Sequence, residues 1–121
     1  MKNYYGELRG CLESQFYADN FEHIYSVSYE AAGAVDRPLF FVLLWSIFHS
    51  LDERWRQRPF HVTVARQMEQ QLRPPILAYL DAAARPMPME EELNLLNRIA
   101  AAFRGWQEIE AQILYGDRPG R

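Results

Sequence analysis

Apolar residues recur along this chain at intervals of three and four, with no sustained alternation, and Pro and Gly mark the breaks between the periodic segments. That pattern predicts helices. Tyr5, Leu8, Leu12 and Phe16 form one stripe, and Phe21, Ile24 or Tyr25, Ser28 and Ala32 form a second. Between them, "ADNFE" places Glu22 three residues after Asp19, the signature of a capping box or a shared boundary. The first 33 residues therefore read as two short helices or one long kinked helix. Gly33 is a helix stop, and "VDRP" offers Asp36 as an N-cap with Pro38 in the first turn of the next helix.

That next helix runs through "LFFVLLWSIFHSLDERWRQR". Its first turns are apolar nearly all round, as in a helix covered on several sides. Past Phe48 it becomes one-sided: Leu51 and Trp55 continue the stripe of Phe40, Leu44 and Ile47, while Asp52, Glu53, Arg54 and Arg56 are expected to turn outward. Pro59 ends or kinks it. Val62, Ala65, Met68, Leu72, Ile76, Tyr79, Leu80 and Ala83 then keep helical spacing across "RPP", which predicts a helix kinked at Pro74 and Pro75, or two helices end to end. In "ARPMPMEEE" three acids stand at the positive end of a last helix, which carries Leu93, Leu96, Ile99 or Ala100, Phe103, Trp106 and Ile113 toward Gly116. The expected fold is all-α: one domain over residues 1–115, a bundle of four to five helices with up-and-down connections, and a short tail over 116–121.

Composition narrows the functions available to such a bundle. The chain has 121 residues, 49% of them hydrophobic and 17 aromatic, enough for one well-filled core. Thirteen basic residues against 16 acidic ones give a formal charge of −3, so no global cationic field gathers nucleic acid or an anionic membrane. The single cysteine, Cys11, excludes an intramolecular disulfide and a Cys-rich metal site, and its place beside Leu8 and Leu12 reads as a small core residue. "MKNYYGELRG" holds no continuous apolar leader, and no later run approaches the roughly 20 apolar residues of a membrane span. A cytoplasmic location is the expectation.

The stretch "WRQRPFH", Trp55 to His61, carries the most specific candidate chemistry. Arg56, four intervening residues and His61 fit an Arg-x4-to-6-His pattern, and Arg54 fits its longer spacing. In an all-helical chain of this size the pattern resembles that of the HEPN ribonucleases, helical-bundle nucleases that usually act as dimers. The resemblance implies metal-independent RNA cleavage, with Arg56 and His61 of two subunits meeting at their interface. The chemistry suits the residues: His moves a proton near neutral pH, and Arg holds a phosphate and the charge that develops on it. The match covers six residues, and it departs from the family in having Gln57 where a small polar residue follows the Arg, and Pro59 inside the motif.

The same segment supports two other readings. Arg54, Arg56, Arg58 and Arg66, with Trp55, Phe60 and His61 interleaved and no acid among them, could track a phosphate backbone and stack a base. In size, helicity and local basic face this is similar to the small helical subunits of CRISPR effector complexes, a resemblance that implies a nucleic-acid-binding subunit. A plain helix junction also accounts for the segment, because arginines in a last helical turn complement the negative end of the dipole.

Metal chemistry is weakly signalled: His49 shares a face with Asp52 and Glu53, and Asp19 stands four residues before His23, but neither makes a repeated Glu-x-x-His pattern. No metal or other cofactor is expected. No glycine-rich phosphate loop or paired nucleophile and base stands out. What remains is surface for partners. "LFFVLLWSIF" is more apolar than one small bundle easily covers, which nominates Phe40, Phe41, Trp45 and Phe48 for an interface, and Tyr4, Tyr5, Tyr17, Tyr25 and Tyr29 add amphipathic area. The leading expectation is a non-enzymatic bundle acting through protein contacts, as a homo-oligomer or as the small subunit of a larger assembly.

Overall fold

A computed structural model describes residues 3–14, 18–57 and 62–115. The described residues form five helices and no strand: α1 (Tyr4–Ser14), α2 (Ala18–Ala32), α3 (Leu39–Gln57), α4 (Val62–Ala82) and α5 (Met89–Tyr115). The all-α bundle is as the periodicity implies, and the first 33 residues make two helices. The Asp19 side chain, Phe16, Ile113 and the tail lie outside what the structure describes.

Local chemistry sets the helix ends. The Asn3 carboxamide oxygen accepts from the Gly6 amide at 3.0 Å and its carbonyl from Glu7, so Asn3 caps α1. α2 stops one residue before Gly33, as expected. α3 differs from expectation: Val42 N–H donates to the Pro38 carbonyl, so Pro38 stands immediately before the helix and Asp36 lies upstream of the capping position. Pro has no N–H to lose, and its fixed φ suits a helix start. α4 runs unbroken through Pro74 and Pro75, although both remove a ladder donor and leave the carbonyls of Gln70 and Gln71 without their usual partner. Leu72, Ile76, Tyr79 and Leu80 on either side of the pair are all buried, so packing of one continuous stripe outweighs two lost hydrogen bonds.

Side-chain pairs give the register. α2 and α3 are antiparallel, with Glu22 beside Arg56 and Tyr25 beside Asp52. α4 and α5 are antiparallel too: the indole N–H of buried Trp106 donates to the Val64 carbonyl at 3.1 Å near one end, and the Tyr79 hydroxyl donates to Glu92 at 2.8 Å near the other. α1 bridges the two hairpins, reaching α2 through Tyr4 and Glu30 and α4 through Arg9 and Asp81. α3 and α5 run side by side in the same direction, with Arg37 against Glu92 at their starts and Arg54 against Glu110 toward their ends.

The core lies between these helices. Phe40 stacks on Tyr79 with ring centroids 3.9 Å apart, Phe41 meets Tyr5 at 5.1 Å, and Phe21 meets Phe48 at 6.0 Å. Three side chains depart from the sequence pattern. Val62, first on the α4 stripe, is 63% exposed; Leu93, also expected inward, is exposed, and Asp52, expected outward, is 8% exposed.

Tyr79 ties this core to pH. Burial pushes its phenol above the ordinary tyrosine value of 10.0, and the hydrogen bond to Glu92 adds to the effect; burial raises Tyr5 in the same way. The native state therefore favours the neutral phenols. Their contribution is fully present below pH 10, the unfolded value, and is lost as pH rises above it. In a Cys11→Ala background, which removes a half-buried thiol whose contribution would fade above pH 9.0, urea unfolding midpoints should be flat from pH 8 to 9.5 and fall beyond 10. A Tyr79→Phe variant should show a shallower alkaline fall, and equal slopes in the two proteins would refute the assignment.

Candidate functional site

Among the described residues three carboxylates are buried, and they take up Arg54 and Arg56 of the arginines that the sequence offered as a site, together with Arg37. Asp52 on α3 accepts from Arg56 Nε at 3.0 Å and from the Tyr25 hydroxyl at 3.4 Å, both on the same oxygen. Glu92 on α5 takes the Tyr79 hydroxyl and lies 3.6 Å from Arg37. Glu110, one turn beyond Trp106, takes Arg54, whose guanidinium also sits 5.4 Å from the centre of the Trp106 ring. Burying a carboxylate without a partner costs several kcal/mol, roughly, so each cation is held where its acid is.

The arginine segment is thereby partly neutralised. Arg54 is committed to Glu110, and Arg56 reaches both Asp52 and Glu22. Arg66 is exposed on α4. Arg58, Phe60 and His61 lie outside the described residues, so the structure supplies only the Arg56 half of the Arg-x4-His pair.

Around Asp52 the structure assembles a group that sequence spacing did not suggest. His49 stacks on Trp45 with centroids 4.8 Å apart and planes 19° from parallel, and Tyr25 of α2 sets its ring edge against His49 at 5.2 Å. Glu53 holds His49 Nδ1 at 3.2 Å. Tyr25 is itself raised above the ordinary tyrosine value, by burial first and then by Asp52 and Glu22. His49, Asp52 and Glu53 do share a neighbourhood, as their spacing implied, but Asp52 is turned inward to Arg56. Among the described residues no three His, Cys, Asp or Glu side chains gather in a metal-binding arrangement, and no helix is long and apolar enough to cross a membrane. Cys11 is half-buried against the core, and burial pushes its thiol up, away from reactivity at neutral pH.

The interface expectation needs correction at three positions. Phe40, Phe41 and Phe48 are fully buried in the chain's own core, and a ring packed on all sides offers nothing to a partner. Trp45 alone stays partly exposed. It belongs instead to a row at intervals of three and four along the outer face of α3: Leu39, Val42, Trp45 with Ser46, His49 and Glu53. Leu39 and Val42 are both exposed, Tyr29 of α2 is 72% exposed, and Met89 and Leu93 of the first α5 turns are exposed at the end where Arg37 meets Glu92. These five residues are among the few large hydrophobic side chains this fold leaves in solvent.

The Arg54 clamp is testable apart from any activity. Arg54→Ala should destabilise the fold by about 2 kcal/mol, below the roughly 3–5 kcal/mol of breaking a fully buried pair because Arg54 is itself partly exposed. Adding Glu110→Leu should recover most of the loss in urea unfolding, since the orphaned charge is gone. Additive losses in the double variant would show that Glu110 is not held by Arg54. Comparison of the chain with protein-family models, with curated proteins and with solved structures finds no match.

Proposed function

We propose that this protein is a non-enzymatic helical-bundle module that works through protein contacts, and that its first partner is a second copy of itself, docked through the outer face of α3. The observation that carries this reading is the row of exposed Leu39 and Val42 and partly exposed Trp45, with Tyr29 of α2 and Met89 and Leu93 of α5 also left in solvent. Aromatic and aliphatic side chains in such a patch supply interface area at low entropic cost, and apolar exposure of this kind favours association.

Charge selects the occupant. The α3 face begins beside Arg37, at the positive end of the helix, and finishes at the exposed Glu53. Two copies related by a two-fold axis through Ser46 would cross their α3 helices antiparallel, and each Glu53 would then meet the other copy's Leu39 end and Arg37. Such an interface is self-complementary in both apolar area and charge, as isologous dimers require. His49, between its Trp45 stack and Glu53, would lie near the axis and contribute a flat polar ring to the contact.

Light scattering after size exclusion should give twice the 14.3 kDa of one chain. Val42→Glu should return the monomer without loss of helical signal, because Val42 is exposed in the single chain. In a Cys11→Ala background, Ser46→Cys should form an intermolecular disulfide on mild oxidation, since a residue on the axis approaches its own copy within the reach of about 7 Å between Cα atoms. Leu39→Cys, far from the axis, should not. A monomeric wild type at high concentration, or equal cross-linking at both positions, would remove this reading.

A further inference from the structure

A cleft opens where the start of α1, the end of α4 and the 85–88 connection converge ahead of α3. Its cavity of ≈ 440 Å³ is lined chiefly by Tyr5, Arg37, Tyr79, Arg85, Met87 and Pro88. That size lies within the roughly 300–1,000 Å³ usual for small-molecule sites. The lining carries two guanidinium groups and no carboxylate. Its accessible apolar part is mainly rings, from Tyr5, Pro86 and Pro88, with Tyr79 and Met87 buried beneath them.

Both arginines are steered from behind. Glu91 grips Arg85 through two contacts, 2.9 and 3.4 Å, and Glu92 lies 3.6 Å from one Arg37 nitrogen. A guanidinium has five N–H donors in a rigid fork, so a carboxylate holding one edge fixes its orientation while leaving donors for a second acid. The same arrangement limits the charge the cleft accepts. Glu91 and Glu92 already offset the two cations, and buried Glu92 would repel an anion pushed to the cleft floor. A monoanion held at the arginine edge, with its uncharged body against the Tyr5 and proline rings, satisfies both conditions. The adjoining cleft across Tyr5 does not, because it is lined by Asp81 as well as Arg9, and these two are paired with each other.

We infer that the cleft between Arg37 and Arg85 is a binding site for a small aromatic monocarboxylate. It borders the proposed dimer face at Arg37 but does not depend on dimerisation.

The probe is 2-naphthoate, titrated calorimetrically into the full chain, with 2-naphthamide as its uncharged counterpart. Saturable binding of one naphthoate per chain is expected, with the amide about tenfold weaker for want of a charge-assisted contact. Arg85→Gln should weaken naphthoate by about the same factor and leave the amide unchanged. Ala83→Phe, which fills the cleft wall without touching a charge, should abolish binding of both, while Val42→Glu on the α3 face should change neither. If Ala83→Phe fails to fold, the Arg85→Gln comparison decides alone, because Arg85 is exposed and its loss orphans no buried group. No saturable binding, equal affinity for acid and amide, or naphthoate affinity insensitive to Arg85→Gln would overturn the assignment.

Discussion

The register of α3 against α5 rests on two buried carboxylates. Glu92 and Glu110 stand eighteen residues apart on one helix, and the arginines that meet them, Arg37 and Arg54, stand seventeen apart in the chain beside it. At about 1.5 Å per helical residue both separations come to about 26 Å, so the two pairs close together only when the helices run in parallel in this one alignment. Apolar packing tolerates small slides along a helix; a buried carboxylate does not, because a shift of one turn leaves it without its cation. The clamps thus trade some stability for a unique arrangement, and they sit where direct contact is sparse. Hairpins α2–α3 and α4–α5 are zipped by long apolar seams, whereas α3 and α5 belong to different hairpins.

That alignment determines what α3 can offer outside. With Phe40, Phe41, Leu44, Ile47, Phe48 and Leu51 turned into the core, the helix is anchored on two sides, and its remaining side cannot rotate away from water. Leu39, Val42 and Trp45 are exposed because the residues next to them in the chain are already committed. The same clamp at the other end of the argument places Arg37 beside Glu92 at the mouth of the cleft. One ion pair therefore orients a guanidinium for the proposed ligand and sets the end of the proposed dimer face, so the two surfaces meet at Arg37.

How much of this could be read from the sequence depends on which physical signal carried it. Helix count, the Gly33 stop and the inward stripes follow from periodicity, a property of neighbours in the chain. Leu8, Leu12, Ile24, Met68, Leu72, Ile76, Leu96, Ile99 and Trp106 sit where their spacing puts them. The buried acids carried a local signal too: Glu92 and Glu110 fall on the same stripe as Leu95, Leu96, Ile99 and Trp106, and a carboxylate on an apolar stripe demands a cation. Which cation answers was not legible, because Arg54 and Glu110 are joined only by tertiary structure. A run of arginines without an intervening acid read as a basic patch; Asp52, flanking it in the sequence, offsets Arg56, while the other acids that meet it come from Glu22 on α2 and Glu110 on α5. Aromatic richness also misled in one direction: Phe40, Phe41 and Phe48 looked like surplus surface, and these three rings of a central helix are buried in the core itself.

The near absence of lysine now has a physical reading. Twelve of the thirteen basic residues are arginine, and those at positions 9, 37, 54, 56, 73 and 85 all lie against carboxylates. A lysine ammonium is a compact, strongly hydrated point charge; buried beside one acid it would lose most of its water for a single contact. The planar guanidinium is more weakly hydrated and has donors on several edges, so it can serve more than one group. Arg56 does this between Asp52 and Glu22, and Arg54 does it between Glu110 and the Trp106 face. A bundle that fixes its helix register with partly buried ion pairs is better built with arginine, and two of the arginines that suggested nucleic-acid chemistry, Arg54 and Arg56, are here engaged by buried acids.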